Sequence, residues 1–103
     1  MPVRTPSEDA IESARLEIAE ECASGPTQVE LAEAPLLQDW SICQHPQVGG
    51  PVMSGRVYGH PTVVDGTRIT TTHVALIDED GLSWGRTLSR YYLLGRPEHV
   101  PLH

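Results

Sequence analysis

Two acidic-glycine turns divide the stretch from Gly55 to Gly95, and they constrain the fold more than any other feature of the chain. Asp65-Gly66 is a dipeptide typical of two-residue β-hairpin loops, and the run DEDG at 78–81 predicts a second, four-residue turn. The segments between the turns are rich in Thr, Val and Ile, which favour strands. The sequence therefore predicts an antiparallel meander.

The lengths of these turns also predict which side chains lie beside one another, because neighbouring residues of a strand point to opposite faces. Two- and four-residue loops would place Tyr58, His73 and Arg86 in one row across three strands. The adjacent rows of the same face would hold further candidate binding residues: His60 on one side, and Arg56 and Trp84 on the other. The opposite face would carry Met53, Val57, Val74 and Leu76, and we expect the N-terminal helix to cover it.

The N-terminal segment TPSEDAIESARLEIAEECASGP predicts that helix. Thr5 and Glu8 fit a capping box with Pro6 at the first helical position, and Gly25-Pro26 provides the end. An apolar stripe follows at helical spacing: Ile11, Ala14, Ile18 and Cys22. A second capping box, Thr27 to Glu30, precedes a short helical turn, and LLQDWSICQ then alternates in the manner of a first strand.

These elements predict one α+β domain over residues 1–103. The N-terminal helix and the short helical turn would pack on a three- to four-stranded antiparallel meander sheet. We expect an acidic helical part over 1–39, the β meander over 40–95 and an irregular tail over 96–103. The start lacks an apolar signal segment and no apolar run is long enough for a membrane helix, so a cytoplasmic protein with no membrane partner is expected. Cys22 and Cys43 are expected to be small buried side chains, with a single bridge left open.

Negative charge is concentrated in the first third of the chain. Residues 1–39 contain nine Asp and Glu residues against Arg4 and Arg15, whereas the remainder is balanced, within a total of −7. The acidic helix is either an ordinary solvated face or a surface complementary to a basic groove on a protein partner. In the second interpretation its binding residues are Glu17, Glu20 and Glu21.

The Arg, Tyr and His residues of the predicted sheet support an alternative. Arginines beside aromatic rings are typical of single-strand nucleic-acid binders and of small-ligand sites. The sheet offers such residues: Arg56, Arg68, Arg86, Arg90, Tyr58 and Trp84. The net charge of −7 opposes phosphate binding, so nucleic acid is the less favoured partner.

Catalytic and metal chemistry find little support in the sequence. The candidate metal ligands match no familiar zinc spacing: Cys43, His45, His60, His73, His99 and His103. No Ser, Thr or Cys lies in a context that activates a nucleophile. We therefore expect a protein that is not an enzyme and that has no cofactor or metal.

The run SGRVYGHPTVVDGTRITTTHVALID, followed by GRTLSRYYLLG, resembles a group of short uncharacterised bacterial proteins. The shared pattern is GHP…DG…ITT…TxSRxYxLG, and it covers Ser54 to Gly95. The resemblance implies no established activity and transfers no catalytic residue. It implies membership of the accessory gene pool, including mobile elements, which favours a regulatory or counter-defence role. The expected function is thus a non-enzymatic protein-binding regulator or inhibitor, such as an anti-defence protein. A homodimer through an exposed sheet edge stays open.

Overall fold

The computed structural model describes residues 6–98, in which two helices precede five strands. The helices are α1, Pro6–Glu21, and α2, Gln28–Glu33. The strands are β1, Leu36–Gln44; β2, Pro51–Tyr58; β3, Thr67–Ile77; β4, Trp84–Thr87; and β5, Tyr91–Leu94. The predicted α+β class is confirmed, but the sheet has five strands and not three or four. Within the described residues, no helix is long and apolar enough to cross a membrane.

The five strands follow one another in chain order, as in the predicted meander, but they close into a barrel, which the prediction did not include. Each strand pairs antiparallel with the next, and β1 then pairs in parallel with β5, with Leu36 opposite Leu93 and Leu37 opposite Leu94. Parallel closure is a consequence of strand number, because an odd series of alternating strands begins and ends in the same direction. A closed barrel removes the free sheet edge that suggested a homodimer.

A bulge in β1 makes this closure feasible. The pairing of β1 with β2 shifts between Gln38 and Ser41, and Asp39 there adopts a positive φ of 52°. Trp40 follows the bulge, and its indole N–H donates to the Gly95 carbonyl at 2.9 Å. The chain after β5 continues beside β1, since the Glu98 N–H donates to the Trp40 carbonyl at 2.8 Å. The described start of the predicted irregular tail is therefore hydrogen-bonded to the barrel.

The hydrophobic core fills the barrel interior and consists of Leu37, Trp40, Met53, Val57, Val74, Tyr92 and Leu94. The burial predicted for Met53, Val57 and Val74 is confirmed. The predicted cover was wrong, because these side chains pack against the opposite wall of the barrel and not against α1. Helix α1 instead lies outside β3, where the Arg15 Nε donates to the Val74 carbonyl at 2.8 Å, and α2 contacts β5.

The predicted strand register was wrong at both turns. Asp65-Gly66 lies at the end of a longer loop: the Asp65 carboxylate accepts from the Gly59 N–H, and the Gly66 N–H donates to the Val57 carbonyl, both at 2.8 Å. Asp78 likewise organises the longer 78–83 loop by accepting hydrogen bonds from Ser83. Both aspartates thus cap wide loops instead of occupying the tight turns that the register assumed.

Local predictions were more accurate. The Thr27–Glu30 capping box is present, with reciprocal bonds of 3.1 and 3.0 Å, whereas the proposed Thr5 cap lies outside the described residues. The segment LLQDWSICQ is β1, so the sheet begins at Leu36, inside the predicted helical part. Both cysteines are free; Cys22 is half-buried and Cys43 is exposed, so the predicted burial of Cys43 was wrong. Cys43 lies near the end of β1, in a run of three exposed residues.

Candidate functional site

The predicted row of Tyr58, His73 and Arg86 does not exist. With the longer loops, Tyr58 lies opposite Leu36, His73 opposite Val52, and Arg86 opposite Leu76. Bulges in β2–β3 and β3–β4 add further shifts. The nine predicted binding residues are therefore distributed over separate regions of the surface.

The first region is the outer face of α1, which carries Glu17, Glu20 and Glu21, all exposed. Leu16 lies among these acids and is 62% exposed. The opposite side of α1 is half-buried on the barrel, and Arg15 on that side bonds to the Val74 carbonyl and, at 2.9 Å, to the Glu12 carboxylate. Arg15 is the sole basic residue of α1, and its charge is directed toward the barrel. The outer face of α1 therefore carries no basic residue of this helix.

This acidic face is not explained by helix stability. Glu20 and Glu21 occupy the last turn of α1, where the helix dipole favours cations and no basic residue is present. Glu17 and Glu21 are also four residues apart, a spacing at which like charges repel. Each unfavourable effect is small, about 0.2–1 kcal/mol. The arrangement therefore costs the isolated helix a small amount of stability.

The second region is a cleft of about 230 Å³ between α2 and the β4–β5 hairpin. Arg86 lies there with its guanidinium carbon 5.2 Å from the centre of the Tyr91 ring, and Trp84 meets the same ring edge-on at 5.7 Å. Burial raises the pKa of Tyr91, and a hydrogen bond with Cys22 at the end of α1 adds to the rise. Tyr91 of β5 thus contacts Trp84 and Arg86 of β4 and Cys22, the residue that follows α1.

The third region surrounds His73, which is buried beneath α1 and is not on an open face. Its Nε2 lies 2.8 Å from the Gly49 carbonyl, and its ring stacks on His45 at 5.2 Å. His45 in turn accepts backbone N–H bonds from Gln47 and Val48 through Nδ1. These bonds hold the 45–50 loop against the barrel. In the described residues no three His, Cys, Asp or Glu side chains are grouped to hold a metal; His99 and His103 lie outside them.

The outer face of β1 and β2 holds Arg56 and Tyr58. Asp39 links this region, because one of its oxygens accepts from Arg96 at 2.9 Å and the other lies 4.0 Å from the Arg56 Nε. Arg68, directly opposite Arg56, bonds to Glu98 at 2.9 Å. The arginines of this face are therefore largely neutralised by nearby carboxylates.

His60 stands apart in the loop after β2. Its ring lies 6.4 Å from that of Tyr92, and its Nδ1 accepts from the Thr62 N–H at 3.1 Å. Burial, and secondarily the positive charge of Arg90, lower the pKa of His60 below its ordinary value of 6.5. His60 therefore lies within the electrostatic influence of Arg90, in the β4–β5 turn.

Two residues important to these surfaces were not among the predicted binding residues. Leu16 had a signal in the sequence, since position 16 lies off the helical stripe formed by Ile11, Ala14, Ile18 and Cys22. No sequence pattern could have identified Asp39, because its position between Arg56 and Arg96 depends on the β1 bulge and on barrel closure.

Comparison with known proteins identifies a family whose function is unknown. No curated protein and no solved structure matches the chain significantly. The sequence model of a family of unknown function, DUF6634, matches residues 5–100, which extends beyond the resemblance at Ser54–Gly95 to include the acidic helix. The chain therefore belongs to the DUF6634 family of unknown function.

Proposed function

We propose that this protein is a non-enzymatic regulator that binds a partner protein with a basic surface, using the outer face of α1. The observation that carries the proposal is Leu16, which is 62% exposed among Glu17, Glu20 and Glu21. Acidic residues around an apolar contact are suited to a basic groove: the charges speed and orient the encounter, and the apolar side chain is buried on docking.

The barrel serves as a rigid support for this face. The Arg15 bond to the Val74 carbonyl of β3 fixes the inner side of α1 on the barrel, so the outer face is presented in one orientation. Preorganisation of this kind reduces the ordering cost of association. If the basic groove of the partner normally binds nucleic acid, occupation by α1 inhibits it, which is the anti-defence version of the proposal.

The test compares two triple substitutions of equal charge change. In the first, Glu17, Glu20 and Glu21 are replaced by Gln; in the control, the exposed acids Asp65, Glu79 and Asp80 are replaced by Asn or Gln. Partners captured by the wild-type protein are identified, and the affinity of the purified partner is measured at several salt concentrations. Exposed charge pairs contribute about 0.2–1 kcal/mol each, so the α1 triple variant should bind about 3- to 150-fold more weakly, with a reduced salt dependence.

Leu16→Ala should weaken the same interaction without changing its salt dependence, because it removes apolar contact and no charge. Equal binding by the two triple variants would refute the role of the α1 face. A partner surface that proves to be acidic or uncharged would refute the proposed chemistry.

A second candidate function is single-stranded nucleic-acid binding on the outer face of β1 and β2. It is favoured by Arg56 lying directly opposite Arg68, beside the exposed Tyr58. The ion pairs to Asp39 and Glu98 oppose it, since a phosphate would have to displace them. The two candidates are distinguished by anisotropy titration of labelled single-stranded oligonucleotides. If the wild-type protein and the α1 triple variant both bind and Arg56→Ala does not, this second candidate is supported against the first.

A further inference from the structure

Two of the described arginines lack the partners that the others have. Four of the described arginines lie within 4.0 Å of a carboxylate: Arg15, Arg56, Arg68 and Arg96. Arg86 and Arg90 have no ion pair and no side-chain hydrogen bond to any described residue. Both lie in the β4–β5 hairpin and line the same cleft.

Arg86 is the more unusual of the two. Its Nε is buried and has no hydrogen-bond partner within the described part of the chain. Its guanidinium group lies over the Tyr91 ring, and this contact fixes the position of the charge. The ring accepts no hydrogen bond from the N–H groups that lie in the guanidinium plane. A buried donor without an acceptor is costly, so an acceptor from outside the described residues would stabilise Arg86.

The cleft beside Arg86 has two walls of opposite charge. Arg86, Ser89 and Arg90 form one wall, and Glu30 and Glu33 of α2 form the other. Glu30 is partly engaged, because it accepts the Thr27 N–H in the capping box. The volume of about 230 Å³ lies just below the range of roughly 300–1,000 Å³ that is typical of small-molecule sites, so the cleft suits a small molecule and not a polymer.

We propose that this cleft binds a small amino-carboxylate, with its carboxylate on Arg86 and Arg90 and its ammonium toward Glu33. The arginine fork matches a carboxylate with two parallel hydrogen bonds. Two arginines and two glutamates sum to no net charge, so a zwitterion is balanced here. A dianionic phosphate is repelled by the glutamates, and a simple cation by the arginines. This site is separate from the acidic outer face of α1 and does not depend on the proposed function.

The experiment is an NMR titration of the full-length protein with unbranched amino-carboxylates, from glycine to 6-aminohexanoate. Acetate, inorganic phosphate and methylammonium serve as single-charge probes. We expect saturable shifts around Arg86, Arg90 and Glu33 for at least one amino-carboxylate, at a dissociation constant below about 10 mM, and weaker binding of each single-charge probe. Absence of saturable binding of every amino-carboxylate overturns the proposal, as does tighter binding of phosphate.

Substitutions in the cleft test the assigned roles. Arg86→Ala and Arg90→Ala should each weaken the best amino-carboxylate at least about tenfold, whereas Arg68→Ala, on another part of the surface, should not. Glu33→Gln should weaken the amino-carboxylate and strengthen acetate, a reversal that a purely structural role would not produce. Tryptophan fluorescence during urea unfolding establishes whether each variant is folded. If Arg86→Ala does not fold, Arg90→Ala and Glu33→Gln test the site in its place. Unchanged affinity in the folded cleft variants overturns the site.

Discussion

Gly55→Ala tests the geometry by which the barrel closes. A Cβ at position 55 would lie 2.7 Å from the Gln38 carbonyl oxygen, 3.0 Å from the Leu37 Cγ and 3.1 Å from the Trp40 Cα. Two of these atoms are backbone atoms of the β1 bulge, so no side-chain rotation can relieve the contact. Strand β1 must move away from β2, which disturbs the segment that also pairs with β5.

The magnitude follows from two opposing terms. Overpacking in a close-packed interior costs about 1–3 kcal/mol, and the upper end applies here because backbone must move. Replacing Gly by Ala also restricts the unfolded chain, which returns about 0.4–1 kcal/mol. We therefore expect the free energy of unfolding to fall by about 2 kcal/mol, which lowers the melting temperature by about 8–16 °C in a domain of this size.

The assay is urea unfolding followed by tryptophan fluorescence, with Trp40 in the core as the reporter. Gly81→Ala is the matched control, since it makes the same chemical change at an exposed loop position where the nearest atom is the Asp78 carboxylate oxygen at 3.3 Å. The control should change the free energy of unfolding by less than about 0.5 kcal/mol. If the two variants are equally stable, β1 does not approach β2 at Gly55 as described, and the closure at the bulge is refuted.

Two further predictions concern pH. The hydroxyl of Ser83, followed by backbone N–H groups of the same loop, holds the pKa of Asp78 below its ordinary value of 3.8. The stability that Asp78 contributes is therefore present above pH 3.8, and it is lost as the pH falls through the lower pKa that Asp78 has in the folded protein. The difference in urea midpoint between the wild type and Asp78→Ala should shrink over that pH range. A difference that stays constant would contradict the prediction. Arg90→Gln should raise the pKa of His60 measured by NMR, but leave it below 6.5, because burial is the larger cause of its lowering. No rise, or a complete return to 6.5, would show that the assigned causes are wrong.

The parts of this fold that depend on neighbouring residues could be predicted from the sequence. The helical conformation of α1, the Thr27–Glu30 capping box and the extent of β1 all follow from caps, spacing and alternation over a few residues. Barrel closure could not be predicted in this way. It depends on hydrogen bonds between segments far apart in the chain, such as Gly95 to Leu37, and on the bulge at Asp39, a residue with no turn signal around it.

The same distinction between local and long-range features applies to the candidate surfaces. Exposure of Glu17, Glu20 and Glu21 follows from helical periodicity and was correct. The prediction that Tyr58, His73 and Arg86 share a row depended on an assumed pairing register between the strands. An error in the assumed loop length shifts the pairing of every residue beyond that loop. Asp65 and Asp78 stabilise longer loops by side-chain bonds, so a dipeptide signal alone gave the wrong loop lengths. The cleft at Arg86 was not predictable, because α2 supplies its opposite wall.

The parallel pairing of β1 with β5 has a consequence for the order in which the molecule folds. Each antiparallel pair joins strands that are adjacent in the chain, whereas Leu36 and Leu93 are 57 positions apart, the difference of their residue numbers. Loop-closure entropy therefore delays this contact relative to the hairpins. Until it forms, β1 and β5 are open edges that can pair with strands of other molecules. We expect pulse-labelled hydrogen exchange during refolding to protect the β2–β3 amides before those of β5, and earlier protection of β5 would rule this order out.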